Sequence, residues 1–181
     1  MRNRYSRKTR KIMNCSKKGF TLAEVVVAIG IFVLVIAALL KIFVDCSVLT
    51  ELSRNMIFAL NEAQGQVEEI RNWPYDLIAT DFISGGAPGN TFPPAPVDWA
   101  GAIYLYDATD PANPVLITVP TSPTPDLLQI EVVVCWRNKS GRVSGEDENT
   151  NGILDIAQGE DVNGNNKIDS LATVVTMLSR R

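Results

Sequence analysis

The sequence has 181 residues, of which 46% are hydrophobic, and it includes ten Pro and twelve Gly. That length suits one anchoring segment plus one small globular domain and leaves no room for a second large domain. No histidine occurs, and the Ser, Lys and Asp residues form no recognisable nucleophile arrangement, so we do not expect an enzyme.

Charge is distributed unevenly along the chain. Residues 1–19 hold eight of the seventeen Lys and Arg and no acidic residue, whereas the remainder carries nine basic and twenty acidic side chains, a net charge of −11. A basic arm of this kind could bind nucleic acid, but its position directly before a long apolar run favours the positive-inside pattern of membrane proteins. The pattern predicts a cytoplasmic segment 1–19, with everything beyond Val44 across the membrane and no direct contact with nucleic acid.

An apolar run of 25 residues follows, from Phe20 to Val44, interrupted by Thr21, Glu24 and Lys41. At about 1.5 Å per residue it forms a helix of roughly 37 Å, enough to cross a hydrocarbon core about 30 Å thick. The run is longer than the apolar region of a secretory signal peptide, about 7–15 residues, and no Ala-x-Ala junction closes it. We therefore predict a spanning helix that stays attached to the chain.

Glu24 lies near the start of this run, where an unpaired carboxylate in lipid costs at least about 2.5 kcal/mol. The side chain could sit at the headgroup level, be protonated, or simply favour the positive end of the helix dipole. Otherwise the carboxylate needs a partner.

Residues 17–24, Lys-Lys-Gly-Phe-Thr-Leu-Ala-Glu, together with the apolar run, resemble the processing signal of type IV pilins and type II secretion pseudopilins. The resemblance implies that a prepilin peptidase cuts after Gly19 on the cytoplasmic side and that the new N-terminal residue, Phe20, is N-methylated. It also implies that Glu24, the fifth residue of the mature chain, pairs with the N-terminal ammonium of a neighbouring subunit during filament assembly.

Beyond the apolar run the helical pattern continues but becomes amphipathic, with apolar residues at three- and four-residue steps. The helix is predicted to end near Asn72, because Pro74 disfavours helical geometry at the residue before it and donates no backbone hydrogen bond. Residues 20–44 and 45–73 are then the membrane half and the amphipathic half of one helix. The predicted core positions are Leu49, Leu52, Met56, Ala59 or Leu60, Ala63, Val67 and Ile70.

The end of this helix carries a second resemblance, to the minor branch of pilins and pseudopilins. It rests on Asn61-Glu62-Ala63-Gln64, Val67-Glu68-Glu69-Ile70-Arg71 and Trp73-Pro74-Tyr75-Asp76. This resemblance implies a minor subunit.

From Tyr75 to about Ala100 the chain is rich in Gly, Pro, Asp and Thr, which predicts loop. Strand patterns of β-branched and aromatic residues then follow at 102–106, 115–119, 128–136 and 172–178. Four short strands with no second helix between them favour an antiparallel sheet packed on the outer half of the long helix, in a domain spanning 74–181. The predicted fold class is α+β and, by the resemblance, pilin-like.

Three cysteines are present. Cys15 falls in the leader and would be removed, Cys46 lies just past the membrane run, and Cys135 lies in a predicted strand. An exported domain could join the last two by a disulfide, but sequence cannot show that they meet, and we expect two buried thiols.

Residues 146–169 form a second candidate functional segment. Residues 147–155, the first loop, repeat fourteen residues later as residues 161–169, the second loop, with Asp or Asn at the first, third, fifth and ninth places and a turn residue at the sixth. This spacing matches the ligands of EF-hand-like calcium loops, and hard oxygen donors without His favour Ca²⁺ over zinc or copper. The predicted ligands are Asp147, Asn149, Asn151, Asp155, Asp161, Asn163, Asn165 and Asp169.

Both loops depart from the complete EF-hand pattern. The twelfth place, normally a bidentate Glu, is Gln158 in one copy and Ala172 in the other, and neither copy has flanking helices. The carboxylates of one copy, Asp161 or Glu160, could complete the other, as in the calcium repeats of dockerins and thrombospondins, which the stretch resembles. The alternative is a solvated hairpin of Asx turns whose side chains bond only their own backbone.

A structural role for calcium is expected in preference to a sensing one, because the loop pair tethers two strands. The family resemblance agrees, since many pseudopilins carry a calcium ion in a loop near their C-terminal strands.

Taken together, the resemblances imply a structural, minor subunit of a type IV pilus or a type II secretion pseudopilus. Its partners would be the prepilin peptidase, other pilin or pseudopilin subunits and an inner-membrane assembly platform. The chain would cross the inner membrane once, with its C-terminal domain periplasmic or extracellular. The alternative is a membrane-anchored calcium-binding or adhesive domain that does not polymerise, keeps residues 1–19 and tolerates loss of Glu24.

Overall fold

The computed structural model describes residues 19–94 and 98–180. The chain divides into two compact units, residues 1–46 and residues 47–181, and each is described by itself. The predicted basic leader lies outside the described residues except for Gly19.

Helix α1 spans Leu22–Asn72 and ends at the residue predicted from Pro74. In the first unit every helical residue from Leu22 to Cys46 is exposed, so the apolar side chains of the run find no cover within the unit. In the described part of the chain, α1 is the one helix long and apolar enough to cross a membrane. A helix that is apolar on all sides belongs in lipid or among other apolar helices.

In the second unit α1 buries one face against the sheet. Its fully buried residues are Ala59, Ala63, Val67 and Ile70, at steps of four and three. The prediction was wrong for Leu49, Leu52 and Met56, which are 60%, 36% and 37% exposed, because the core that covers this face begins only at Ala59.

A short helix, α2, spans Tyr75–Asp81, where the composition predicts loop. Pro74 stands at its N-cap, a position where a missing N–H is harmless. Ile78 in this helix and Phe82 just after it are buried in the main core, the cluster of apolar residues that includes Ile70, Leu105 and Trp136. The loop prediction was therefore wrong here, because apolar residues four apart outweigh the turn-forming neighbours once they pack.

The sheet has six antiparallel strands, where the sequence predicts about four. The central strand β4 pairs along its length with β2 on one side and β6 on the other, and the three two-residue strands extend the sheet locally. The strand predicted at 115–119 has only two ladder residues, Val115 and Leu116, because further along the same edge β2 bonds Asn90 and β1. The strands are β1 Thr91–Phe92, β2 Trp99–Asp107, β3 Val115–Leu116, β4 Leu127–Arg137, β5 Val143–Ser144 and β6 Ala172–Ser179.

Both faces of β4 are covered. Ile130, Val132 and Val134 belong to the main core with α1 and α2, whereas Val133 and Cys135 pack on the other face in a second cluster that includes Ile168 of the second loop. The loops thus form part of the domain's packing. Cys135 is buried as predicted, but Cys46 is exposed, so the expectation of two buried thiols was wrong for that residue.

Candidate functional site

The N-terminal end of α1 forms a capping box between Thr21 and Glu24. The Thr21 backbone N–H donates to Glu24 Oε2 at 2.8 Å, the Thr21 hydroxyl donates to the same oxygen at 3.0 Å, and the Glu24 N–H donates to Thr21 Oγ1 at 3.3 Å. Such a reciprocal pair satisfies N–H groups that a helix start leaves without partners. Within one chain, the carboxylate that the sequence left without a partner is held at the helix N-terminus.

The predicted processing junction lies just outside this helix start. Gly19 and Phe20 precede Leu22, the first residue of α1, and the Phe20 side chain is 88% exposed. The junction is therefore accessible in the chain itself, and Glu24 stays exposed at its side.

The first loop is organised by its own polar side chains. Asp147 accepts the N–H of Asn151 on Oδ1 at 3.1 Å and the N–H of Gly152 on Oδ2 at 2.7 Å. Asn149 Oδ1 accepts the Asn151 N–H at 3.0 Å, and Asn151 Oδ1 accepts the Ile153 N–H at 2.6 Å. The first, third and fifth places therefore turn the backbone around a common centre.

The second loop repeats these bonds place for place. Asp161 accepts the N–H groups of Asn165 and Asn166 at 3.0 and 3.2 Å. Asn163 Oδ1 accepts the Asn165 N–H at 3.0 Å, and Asn165 Oδ1 accepts the Lys167 N–H at 3.0 Å. Two copies of one sequence pattern have folded to one hydrogen-bond pattern.

In both loops the side chain of the ninth residue bonds the side chains at the third and fifth places. Asp155 Oδ2 accepts N–H groups from the Asn149 and Asn151 amides at 2.7 and 3.1 Å. Asp169 Oδ2 likewise accepts from the amides at the third and fifth places of the second loop. The four predicted ligand residues of each loop are thus brought together by direct contacts among their side chains and backbone.

Two glutamates link the loops reciprocally. Glu160, which precedes the second loop, accepts the N–H of Asp155 at 2.9 Å and the N–H of Asn149 at 3.2 Å. Glu146, which precedes the first loop, accepts the N–H of Asp169 at 3.3 Å. Each loop therefore has the N–H of its ninth residue bonded by the glutamate that precedes the other loop.

These glutamates identify what the sequence reasoning missed. The repeat begins two residues earlier than its first Asp, because Gly-Glu-Asp occurs both at 145–147 and at 159–161. The sequence predicts that Asp161 or Glu160 completes the first loop, and the Glu160 carboxylate accepts two backbone N–H groups of that loop. Glu146 was overlooked, although this longer repeat could have revealed it.

The surroundings of the two loops shift carboxyl pKa values in opposite directions. Burial raises the pKa of Asp147, against the N–H groups of Gly152 and Asn151, which work to lower it. Burial also works to raise the pKa of Asp169, but hydrogen bonds from Asn163 and Asn165 outweigh it and leave that pKa lowered.

The second loop is tied to the sheet by polar contacts. Lys167 Nζ lies 2.8 Å from Glu131 Oε1 and 3.5 Å from Asp169 Oδ1. Tyr106 donates its hydroxyl to Glu131 at 3.0 Å, and the Ile168 N–H donates to the Tyr104 hydroxyl at 2.8 Å. Glu131, which is only 6% exposed, is thereby paired with Lys167 of the second loop.

The donor set in each loop fits a hard cation. Two carboxylates and two amides converge in each, and oxygen donors of this type suit Ca²⁺. Across residues 19–94 and 98–180, no group of three or more His, Cys, Asp or Glu side chains is placed to hold a metal ion. Ala172 at the twelfth place of the second copy is buried at the start of β6, and Gln158 donates to Asp155 at 3.3 Å.

Comparison with known families identifies the N-terminal segment. Residues 14–40 match the prokaryotic N-terminal methylation motif, a range that contains Gly19, Phe20 and Glu24. No curated protein and no solved structure matches the chain. The motif implies processing by a prepilin peptidase and assembly with other pilin subunits, and its family is structural and non-enzymatic. The chain carries this motif on a long helix followed by an antiparallel sheet, and the match supports a protein of the type IV pilin and pseudopilin family.

Proposed function

We propose that this chain is a minor structural subunit of a type IV pilus or a type II secretion pseudopilus. One observation carries the proposal: the methylation motif at residues 14–40 coincides with the start of a helix whose apolar side chains from Leu22 to Cys46 are exposed on every side. Such a helix serves first as a membrane anchor and then as a packing surface among other subunits, where neighbouring side chains replace lipid. The minor role rests on the resemblance of residues 61–76.

In this proposal Glu24 acts in two stages. The capping box with Thr21 holds its carboxylate at the helix start in the single chain. After cleavage at Gly19, the ammonium of Phe20 becomes available, and the carboxylate of one subunit pairs with the ammonium of its neighbour. A charge-assisted bond of this kind in an apolar filament core is strong enough to set the axial register of the subunits.

The first test is the N-terminus of the protein purified from its own membranes, by intact mass and N-terminal sequencing. An N-terminus at N-methyl-Phe20 is the expected result. A chain that still begins at Met1 would refute processing and favour a tethered domain that does not polymerise.

The second test separates anchoring from assembly. Glu24→Ala should leave membrane insertion intact and reduce incorporation into sheared filaments, because the register-setting carboxylate is gone. Asp45→Ala is the matched control, since Asp45 is an exposed carboxylate on the same helix beyond the apolar run. Equal incorporation of the two variants would contradict the role of Glu24.

The loop pair adds a calcium proposal to this function. Calcium would be held by Asp147, Asn149, Asn151 and Asp155 in the first loop and by Asp161, Asn163, Asn165 and Asp169 in the second. Support comes from the converging donors and from the identical bonds in the two copies. The role is structural, because the segment joins β5 to β6 and covers one face of β4.

Calcium titration of the detergent-solubilised full chain tests this part independently of filament assembly. Binding heat and a melting temperature lowered by a chelator are expected, with a stabilisation of about 2.7 kcal/mol for one site at a free calcium concentration of 100 Kd. Asp155→Asn should weaken binding, whereas Glu148→Gln makes the same charge change at an exposed, non-ligand place of the first loop and should not. No binding heat, together with a melting temperature indifferent to the chelator, would refute calcium while leaving the pilin role untouched.

A further inference from the structure

Each loop contains one Asn-Gly pair, Asn151-Gly152 in the first and Asn163-Gly164 in the second. The backbone nitrogen that follows an asparagine can attack its side-chain amide carbon. Glycine hinders this attack least, because it has no Cβ. The same reaction can therefore be compared at two asparagines that lie in different surroundings.

The attacked amides are held alike. Asn151 Oδ1 accepts a backbone N–H two residues on, and its Nδ2 donates to Asp155. Asn163 Oδ1 also accepts a backbone N–H two residues on, and its Nδ2 donates to Asp169. The glycines are matched too, with φ angles of 78° at Gly152 and 74° at Gly164.

The attacking nitrogens differ. The Gly152 N–H donates to Asp147 Oδ2 at 2.7 Å in a buried position, and an added Cβ there would lie 2.9 Å from the Gly101 carbonyl oxygen. Gly164 is exposed, and an added Cβ would have no atom within 4 Å. Within residues 19–94 and 98–180, the Gly164 N–H has no hydrogen-bond acceptor. The Gly152 nitrogen is hydrogen-bonded and buried, whereas the Gly164 nitrogen is exposed to solvent.

We propose that Asn163 is a site of spontaneous deamidation in the folded protein and that Asn151 is protected. Solvent hydroxide removes the Gly164 N–H proton, the nitrogen bonds to Cγ of Asn163, and Nδ2 leaves as ammonia after taking up a proton. Water then opens the resulting cyclic imide at either carbonyl, which yields aspartate or isoaspartate. No oxidant or other reactant is required.

The products change the second loop in different ways. Aspartate adds a third carboxylate beside Asp161 and Asp169 at a place that now holds a neutral amide. Isoaspartate inserts a methylene group into the main chain and removes the turn in which Asn163 Oδ1 accepts the Asn165 N–H. The modification therefore alters the charge or the backbone of one loop while leaving its partner intact.

Site-resolved mass spectrometry of the purified full chain tests the inference. The protein is aged in detergent at mildly alkaline pH, folded or in concentrated urea, and peptides containing residues 151 and 163 are quantified over time. In the folded protein Asn163 should convert at least about tenfold faster than Asn151, because attack by Gly152 first requires the loss of a buried, charge-assisted hydrogen bond. In urea the two rates should become similar.

Gly164→Ala crowds the attacking nitrogen and also strains the left-handed backbone of residue 164, and it should slow conversion at Asn163 without changing Asn151. Equal rates at the two asparagines in the folded protein would overturn the inference, as would faster conversion at Asn151. A tenfold difference that persists in urea would also overturn it, because the cause would then be the local sequence and not the fold.

Discussion

The first and second loops share one sequence pattern and one hydrogen-bond pattern but differ in their surroundings. Asp147, at the first place of the first loop, is fully buried, whereas Asp161 at the same place of the second is partly exposed. The local side chains therefore determine the path of the backbone, and the sheet determines how deeply each copy is buried. Equal contacts in the two loops should contribute unequally to stability, because a buried donor without an acceptor has no water to replace it.

The sixth place shows the same contrast. Both copies require a left-handed backbone here, with φ of 78° at Gly152 and 60° at Asn166. Asparagine tolerates this conformation, so the exposed second loop can use it. The first loop needs glycine, because an added Cβ would lie 2.9 Å from the Gly101 carbonyl oxygen.

The largest predicted difference lies between Asp147→Ala and Asp161→Ala. The first change leaves the buried Gly152 N–H without an acceptor, whereas the Asn151 N–H keeps Asn149, and it should lower the free energy of unfolding by about 3 kcal/mol, against about 1 kcal/mol for the second. Urea unfolding of the full chain in detergent, followed by fluorescence of the buried Trp136, measures both. Equal losses would show that the loops are equivalent in energy and would break the comparison.

The next effect concerns Gly152→Ala and Gly164→Ala. Both replace a left-handed glycine at a cost of about 1 kcal/mol, but only the first also forces a Cβ against a backbone oxygen, for a total of about 2 kcal/mol. Urea midpoints of the two variants in one buffer give the difference. If Gly164→Ala proves the more damaging, the second loop must be packed against something that the single chain does not contain.

A smaller effect is expected at the reciprocal glutamates. Glu160 is 3% exposed and accepts two N–H groups, whereas Glu146 is partly exposed and accepts one at 3.3 Å. Glu160→Gln should therefore cost about 1 kcal/mol and Glu146→Gln about half of that or less. In the double variant the two losses of stability should add, because each glutamate bonds a different loop.

Much of the fold was predictable because single residues constrain it locally. Pro74 ends α1 at Asn72, and the β-branched run at 128–136 becomes the central strand β4, Leu127–Arg137. Helix α2 was not predicted, because its seven residues read as loop until Ile78 and Phe82 pack into the core. The exposure of Leu49, Leu52 and Met56 was missed for the converse reason, since periodicity shows which face is apolar but not where the sheet stops covering it.

The structure of the loop pair was likewise predictable only in part. The spacing of Asp and Asn predicted which side chains converge, because those contacts are local to each repeat. Three other features depend on how β4 and the loops meet, which the spacing within the repeat does not encode. They are the burial of Asp147, the contact of Lys167 with Glu131, and the bonds that Glu160 and Glu146 each accept from the other loop.

A final small effect concerns the polar bonds that hold the second loop to the sheet. The Ile168 N–H donates to the Tyr104 hydroxyl, so Tyr104→Phe should cost about 0.5–1 kcal/mol at neutral pH. Burial raises the pKa of Tyr104 to about 12. The Ile168 N–H works against this rise, so it is burial that disfavours the phenolate in the folded state. Tyr104 therefore costs no stability below about pH 10, and its ionisation destabilises the folded state as the pH rises towards about 12.

Urea midpoints of the wild type and Tyr104→Phe at about pH 9 and about pH 11 measure this effect. The wild type should lose more stability between the two pH values than the variant, and the remaining loss in the variant would include Tyr106, whose pKa burial also raises. Identical losses in the two proteins would mean that Tyr104 ionises no less readily in the folded chain than in the unfolded one.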